Sequence, residues 1–155
     1  DFKFVILKGE LTLNSYAFFN SNIKTIDMEK SNIKKIPYCC FCECIYLETI
    51  LLSPDIEVID KYAFERNYNL EEIVLPKSLT TILDNAFASC TTLNYVNLKN
   101  TKIKSISNKA FINCFKLKNI KIPDFFGGII EASAFSLNNA QIQNIIEGAF
   151  YTLKK

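Results

Sequence analysis

Residues 70–93 read LEEIVLPKSLTTILDNAFASCTTL, and the rest of the chain repeats this stretch with variations. The most regular mark of the repeat is a residue pair that ends in Phe, here Ala86-Phe87. The other pairs are Ala17-Phe18, Cys40-Phe41, Ala63-Phe64, Ala110-Phe111, Ala134-Phe135 and Ala149-Phe150. From Phe18 to Phe135 successive phenylalanines lie 23 or 24 residues apart. A constant period of this length is typical of stacked-repeat proteins.

The apolar residues within one unit predict its path. Ile73 and Leu75 stand two residues apart, which is the period of a strand, and Pro76 ends that strand because proline cannot donate to a sheet. The spacing of Leu79 and Ile82 predicts a return turn that enters the core twice. The unit therefore predicts one strand per coil, with equivalent strands pairing in parallel.

The segment Ala-Phe-x-x-Cys-x-x-Leu at residues 86–93 has helical spacing and predicts one short turn of α- or 3₁₀-helix. No single unit can close a core, so neighbouring units must stack. We expect an α/β repeat solenoid over residues 1–155, in six to seven repeats of 23–24 residues. Because neither end shows a polar capping repeat, we expect the chain to be a piece of a longer protein.

Two units depart from the pattern. The first has a looser apolar skeleton, Phe4, Ile6, Leu11, Leu13 and Phe18. The last reads Leu137, Ile142, Ile145 and Phe150, and its strand would overlap Phe135, so one repeat is shortened there. The loops after the strands also have two lengths: the loop from Leu98 to Ile103 contains one residue more than the loop from Leu75 to Leu79.

The pattern Leu-x-x-Ile-x-Leu-Pro…Ile-x-x-Ile…Ala-Phe-x-x-Cys-x-x-Leu resembles the BspA-like class of leucine-rich repeats, over roughly residues 2–153. The resemblance implies a right-handed superhelix with a parallel β-sheet on its concave side and short turns, strands or 3₁₀ helices on its convex side. Family members include surface proteins implicated in adhesion to host extracellular proteins. The motif is specific for the fold and much less specific for the function.

Composition argues against several function classes. A net charge of +2 lacks the basic excess of a nucleic-acid platform, and no apolar run approaches the ~20 residues of a membrane span. There is no His, and the acidic residues are scattered, which disfavours acid–base catalysis, so we expect no enzyme and no cofactor. Gly127-Gly128 lacks the Lys-Ser/Thr of a phosphate loop and is interpreted as a bend between Phe126 and Ile129.

Six cysteines fall into two groups. Cys44, Cys90 and Cys114 each follow an anchor Phe by three residues and are predicted to be buried free thiols that pack as small apolar groups. Cys39, Cys40 and Cys42 form a dense cluster that contains a Cys-x-x-Cys, which leaves a zinc or redox site as the alternative. A structural zinc ion needs four ligands, and Cys40 already fills the Ala position of its repeat, so the structural interpretation is favoured.

Residues that alternate with the core positions of the strands should point outward and form the candidate binding face. The predicted columns run from Lys3 and Val5 in the first unit, through acidic Asp27, to basic residues at the other end. The predicted partner-binding residues are Thr49, Leu51, Glu72, Val74, Tyr95, Asn97, Lys99 and Lys121. An apolar centre with charged flanks is typical of a protein interface, although a solvated sheet also has mixed polarity.

A second, weaker candidate surface is the set of convex aromatic residues Tyr46, Tyr68 and Phe115. The leading functional hypothesis is a non-catalytic protein-interaction module, located at the cell surface or secreted, that binds a protein partner such as a host extracellular protein. A structural spacer or self-association module is the first alternative. The second is a cytoplasmic interaction scaffold, which fits reduced thiols and the absence of Asn-x-Ser/Thr glycosylation sites.

Overall fold

The computed structural model describes residues 3–124, 126–136, 146–147 and 152–154 and shows a parallel-strand solenoid. Its strands form a front row and a back sheet. The front row contains β1 (Phe4–Ile6), β2 (Thr25–Asp27), β4 (Thr49–Leu51), β6 (Glu72–Val74), β8 (Tyr95–Asn97), β10 (Asn119–Lys121) and β12 (Ile146–Glu147). The back sheet contains β3 (Lys35–Ile36), β5 (Val58–Ile59), β7 (Thr81–Ile82), β9 (Ser105–Ile106), β11 (Ile129–Glu131) and β13 (Thr152–Lys154).

The repeat solenoid and its parallel pairing are confirmed, but the prediction of one strand per coil is wrong. The predicted return turn is a second strand: Ile82 pairs in parallel with Ile59 on one side and Ile106 on the other. The six back strands are joined in one hydrogen-bonded sheet, whereas the front row consists of two groups, β1-β2-β4 and β6-β8-β10-β12. Most back strands are two residues long, too short to reveal an alternating pattern in the sequence.

The segments around the anchor phenylalanines from Phe18 to Phe111 form turns, so the helical prediction is wrong there. In the part of the chain that the structure describes, the one helix is the 3₁₀ helix Ala132–Ala134. Around Phe87, Asn85 and Ser89 both have a φ of 58°, which a right-handed helix does not tolerate. The Phe87 N–H donates to the Ala110 carbonyl of the next coil at 2.7 Å, which satisfies it outside any helix.

The phenylalanine column is the centre of the core. Successive rings from Phe18 to Phe135 stack nearly parallel, with centroids 5.1–5.4 Å apart and interplanar angles of 1–9°. Phe41, Phe64 and Phe87 are fully buried. The rings repeat at almost the ~4.8 Å spacing of paired strands, because the backbone hydrogen bonds of the coils hold equivalent residues in register.

The back sheet begins at β3 rather than in the first coil, and proline explains this. Between later coils, the backbone N–H of the residue after the back strand donates a hydrogen bond to a carbonyl of the preceding coil. Asp60 N–H, for example, donates to the Ile36 carbonyl at 2.9 Å. The equivalent residue of the second coil is Pro37, which has no N–H to donate towards the first coil. A depression of about 520 Å³ opens beside it, bordered by Leu11 and Leu13.

The first coil corrects the predicted register by one residue. Val5 pairs with Ile26 in the inward-facing row, whereas Phe4 and Ile6 are 54% and 49% exposed. The predicted outward position of Val5 and the predicted core positions of Phe4 and Ile6 are therefore wrong, whereas Lys3 is exposed as predicted. The sequence Phe4-Val5-Ile6-Leu7 is apolar on both alternating faces, so its pattern cannot choose between the two registers.

The last coil also differs from its prediction. Ile146 pairs with Ile120 in the front row, and Leu153 pairs with Ile130 in the back sheet. The front strand of this coil therefore lies well after Phe135 and does not overlap it. The predicted core residues Leu137, Ile142 and Ile145 and the pair Ala149-Phe150 lie outside the described residues.

We expect Phe87→Ala to lower the free energy of unfolding by about 3–5 kcal/mol, because it removes a buried ring and leaves a cavity between two others. Urea unfolding followed by circular dichroism measures the change. The control is Phe115→Ala, whose ring is 73% exposed and whose loss should cost less than about 0.5 kcal/mol. Equal losses of unfolding free energy in the two variants would contradict the conclusion that the stacked phenylalanine column contributes more to stability than an exposed ring.

Gly128→Ala should destabilise the protein by about 1–3 kcal/mol, whereas Gly127→Ala should be nearly neutral. A Cβ at position 128 would overlap the Lys104 carbonyl and the Phe126 ring, while one at position 127 would meet no atom within 4 Å. The melting temperatures of the two variants, compared with that of the parent chain, test this difference. An unchanged melting temperature for Gly128→Ala would show that the bend has no need for glycine.

Candidate partner-binding face

The front row places the predicted binding residues on one surface, which we call the front face. Strand register aligns Glu72 with Tyr95 and Val74 with Asn97 across β6 and β8. Thr49 and Leu51 lie on β4 beside them, Lys121 lies on β10, and Lys99 follows β8. The structure thus brings the eight residues together, and their role in binding stays a prediction.

Val74 dominates the apolar centre of this face. It is 77% exposed, whereas Leu51 and Tyr95 are half-buried. The core-facing neighbour Ile73 is buried, so the strand presents Val74 to solvent while it is anchored from below. Val74 is thus the best single anchor for a partner, ahead of the other two apolar residues.

A depression of about 400 Å³ lies on the front face next to Val74, at the step between a short and a long loop. Pro76 and Lys77 belong to the short loop, and Asn100 and Thr101 to the long one. Sequence reasoning missed Lys77, Asn100 and Thr101 as site residues. The available signal was the one-residue difference in loop length.

The charges of the front face are partly engaged within the protein. Lys99 Nζ lies 3.8 Å from an Asp124 carboxylate oxygen, and Asp27 Oδ1 accepts the Glu29 N–H at 3.0 Å. The predicted basic end is therefore partly neutralised. Glu72 and Lys77, by contrast, form no salt bridge among the residues that the structure describes.

The second candidate surface is also exposed. Tyr46, Tyr68 and Phe115 are 47%, 41% and 73% exposed. A further aromatic cluster lies on the turns and escaped prediction: the Tyr38 ring contacts Tyr16 and Tyr62, with centroids 5.5 and 5.7 Å apart. Its signal in the sequence is a tyrosine two or three residues before three consecutive anchor phenylalanines.

The three periodic cysteines are free and buried, as predicted, and they also have a polar role that the sequence interpretation missed. Each thiol donates to the anchor carbonyl of the preceding coil. Cys44 Sγ lies 2.9 Å from the Phe18 oxygen, and Cys90 Sγ lies 3.1 Å from the Phe64 oxygen. Asn67 Nδ2 makes the equivalent bond to the Phe41 oxygen at 2.7 Å.

The Cys39–Cys42 cluster consists of buried free thiols as well. Burial raises the pKa of Cys39 and Cys42, and the Glu65 carboxylate, 3.5 Å from Cys42 Sγ, disfavours the Cys42 thiolate further. Metal binding and thiol attack both need the thiolate form. Within the described ranges, no group of three or more His, Cys, Asp or Glu side chains is arranged to hold a metal ion.

The sequence comparisons agree with this architecture. The family model described as BspA type leucine-rich repeat region matches residues 11–141 in six copies. The chain therefore belongs to the BspA-type leucine-rich repeat family. Proteins built on this repeat typically bind other proteins and are generally non-catalytic. No curated protein matches the chain.

Two solved structures are similar to this chain. A leucine-rich repeat protein from Bacteroides ovatus ATCC 8483 is 28% identical with a TM-score of 0.64, and the match covers 95% of this chain and 39% of that one. The chain thus spans well under half of that protein. The T. pallidum leucine-rich repeat protein is 17% identical with a TM-score of 0.63, covering 99% of this chain and 86% of that one, a likeness of fold alone.

None of the helical structure in the described segments has the length and apolar character to cross a membrane.

Because its thiols are buried, we expect the free energy of unfolding of the protein to decrease at alkaline pH. Burial raises the pKa of Cys114 from 9.0 to about 12, so above pH 9 the unfolded chain loses this proton while the folded chain keeps it. Stability from this thiol is therefore complete below pH 9 and decreases between pH 9 and 12. From pH 8 to pH 10, Cys114 should account for a loss of unfolding free energy on the order of 1 kcal/mol.

Urea unfolding at pH 8 and pH 10 measures this loss in the parent chain and in Cys114→Asn, which copies the amide found at Asn67. We expect the variant to lose less than the parent chain, by an amount on the order of 1 kcal/mol. The difference between the two proteins removes the contribution of lysines and tyrosines that titrate in the same range. An identical loss in both proteins would show that folding does not raise the pKa of the Cys114 thiol.

Proposed function

We propose that this chain is a non-catalytic protein-binding module that recognises a protein partner through its front face. The observation that carries the proposal is Val74, which is 77% exposed on β6 in the middle of the face. Half-buried Leu51 and Tyr95 lie on the strands to either side, and polar residues surround them. Apolar anchors inside a polar rim are the usual anatomy of an interface with high affinity per residue.

Strand-borne residues suit this role because they are ordered before binding. The outward side chains of β6 and β8 are fixed by parallel pairing on one side and by the buried Ile73 and Val96 below. Little conformational entropy is then lost when a partner docks. Adhesion to an extracellular protein, and a location at the cell surface or outside the cell, form the finer part of this proposal and rest on the family's known members.

The test is capture of proteins from a panel of extracellular-matrix and serum proteins on immobilised chain, compared with a Val74→Asp variant. A buried carboxylate without a partner would disfavour the interface, so we expect at least a tenfold loss of affinity for any protein captured. Because Val74 is exposed in the free chain, the substitution should leave the melting temperature unchanged within about 1 °C.

The matched control is Phe115→Asp, which places the same charge on an equally exposed apolar residue of the turn surface. Binding that survives Val74→Asp and disappears in Phe115→Asp would move the site to the aromatic residues there. No capture by any form, with a molecular mass that rises with concentration, would favour self-association instead. Exposed Phe4 and Ile6 on β1 provide apolar surface for that alternative.

A further inference from the structure

The depression beside Val74 is a consequence of unequal loops. After β6 the chain turns at Pro76 and re-enters the core at Leu79, whereas after β8 one extra residue carries the chain further before Ile103 re-enters it. The longer loop therefore forms a wall that the shorter loop does not match. The resulting depression of about 400 Å³ is open to solvent on the front face.

The wall is held by its own hydrogen bonds. Thr101 Oγ1 donates to the Leu98 carbonyl at 2.7 Å and accepts the Ile103 N–H at 3.3 Å. The Lys102 N–H donates to the Lys77 carbonyl at 3.1 Å, which ties the long loop to the short one. Asn97 Oδ1 accepts the Lys99 N–H at 3.0 Å at the start of the same loop. The depression is therefore formed before any partner arrives.

The lining has three zones along the direction of β6. Glu72, next to exposed Glu71, provides carboxylates at the start of the strand. Val74 forms the apolar middle with Asn97 beside it on β8, whereas Tyr95 is aligned with Glu72. Lys77 provides an ammonium group at the loop end, and exposed Lys102 lies on the adjoining loop.

We propose that this depression binds an extended peptide segment of the partner with the pattern basic–x–apolar–x–acidic. Glu72 and Val74 stand two residues apart on the same side of a strand, a separation of roughly 6.6 Å. In an extended peptide, residues two apart also point to the same side at this separation, so an apolar side chain over Val74 brings its neighbours towards Glu72 and Lys77. This inference depends on the proposed function, whose site it specifies.

The charges are suited to selecting a partner. Glu72 and Lys77 have no salt-bridge partner among the described residues, and both side chains are exposed. A peptide with both charges reversed could bind in the opposite chain direction. A peptide with two like charges must instead place one of them next to the residue of the same charge, either Glu72 or Lys77. Like-charge peptides are therefore the discriminating controls.

The experiment titrates the ¹⁵N-labelled chain with the acetylated, amidated peptide Gly-Lys-Ala-Leu-Ala-Glu-Gly and follows amide chemical shifts. We expect a dissociation constant in the millimolar range, with shifts at Val74, Lys77 and Thr101 and none at Phe115. Replacing the peptide Leu by Ser should weaken binding about tenfold or more. Replacing the peptide Glu by Lys should weaken it about threefold at low salt, an effect that 0.5 M salt removes.

Val74→Asp should abolish the shifts, and Phe115→Asp should leave them intact. Absent shifts, shifts centred elsewhere, or equal binding of the Leu and Ser peptides would overturn the peptide site. Such a result would leave the proposed function standing if panel proteins still require Val74. Conversely, peptide binding at the depression without capture of any panel protein would support this site and count against the extracellular partners tested.

Discussion

Register between successive coils is the constraint on which the structure depends. Parallel hydrogen bonds hold each coil at the strand spacing from the next, so whatever residue one coil places in the core must pack against its own equivalent. The phenylalanine rings show the result: they repeat at 5.1–5.4 Å and are nearly parallel. A side chain tolerated once in an ordinary core must here be tolerated in a continuous column, which favours flat rings and β-branched residues.

The same constraint explains the thiols. Turns around each anchor phenylalanine leave its carbonyl oxygen in the core, where it accepts the N–H of the residue three positions on and has a second lone pair for another donor. Cys90 and Asn67 supply that donor from the following coil, although one is a weak donor and the other a strong one. The cysteine column, predicted from the sequence to pack as small apolar groups, thus also serves the backbone, and burial keeps its thiols protonated.

The repeat class could be predicted from the sequence because the same apolar core positions recur in every unit, so that six units independently indicate the same fold. Individual elements were harder. Two-residue back strands such as Thr81–Ile82 are too short for their alternation to be detected. At Phe4–Ile6 both strand faces are apolar, and the register is fixed by pairing with the second coil, for example by the hydrogen bond from Leu7 N–H to the Asp27 carbonyl. The turns mimic helical spacing because residues three and four apart also face one side in a chain of tight turns.

The candidate site was only half accessible to sequence reasoning, for a related reason. Alternation along β6 predicted that Val74 faces outward, but its exposure depends on neighbours from other coils, as half-buried Leu51 shows. The depression beside Val74 depends on a comparison between two loops, which no single repeat contains. In a solenoid the recurring residues are committed to the core, so recognition has to come from the positions where adjacent repeats differ. Such a position lies where Pro76 and Lys77 face Asn100 and Thr101. The loop after β8 is one residue longer than the loop after β6, so the two coils do not superimpose there.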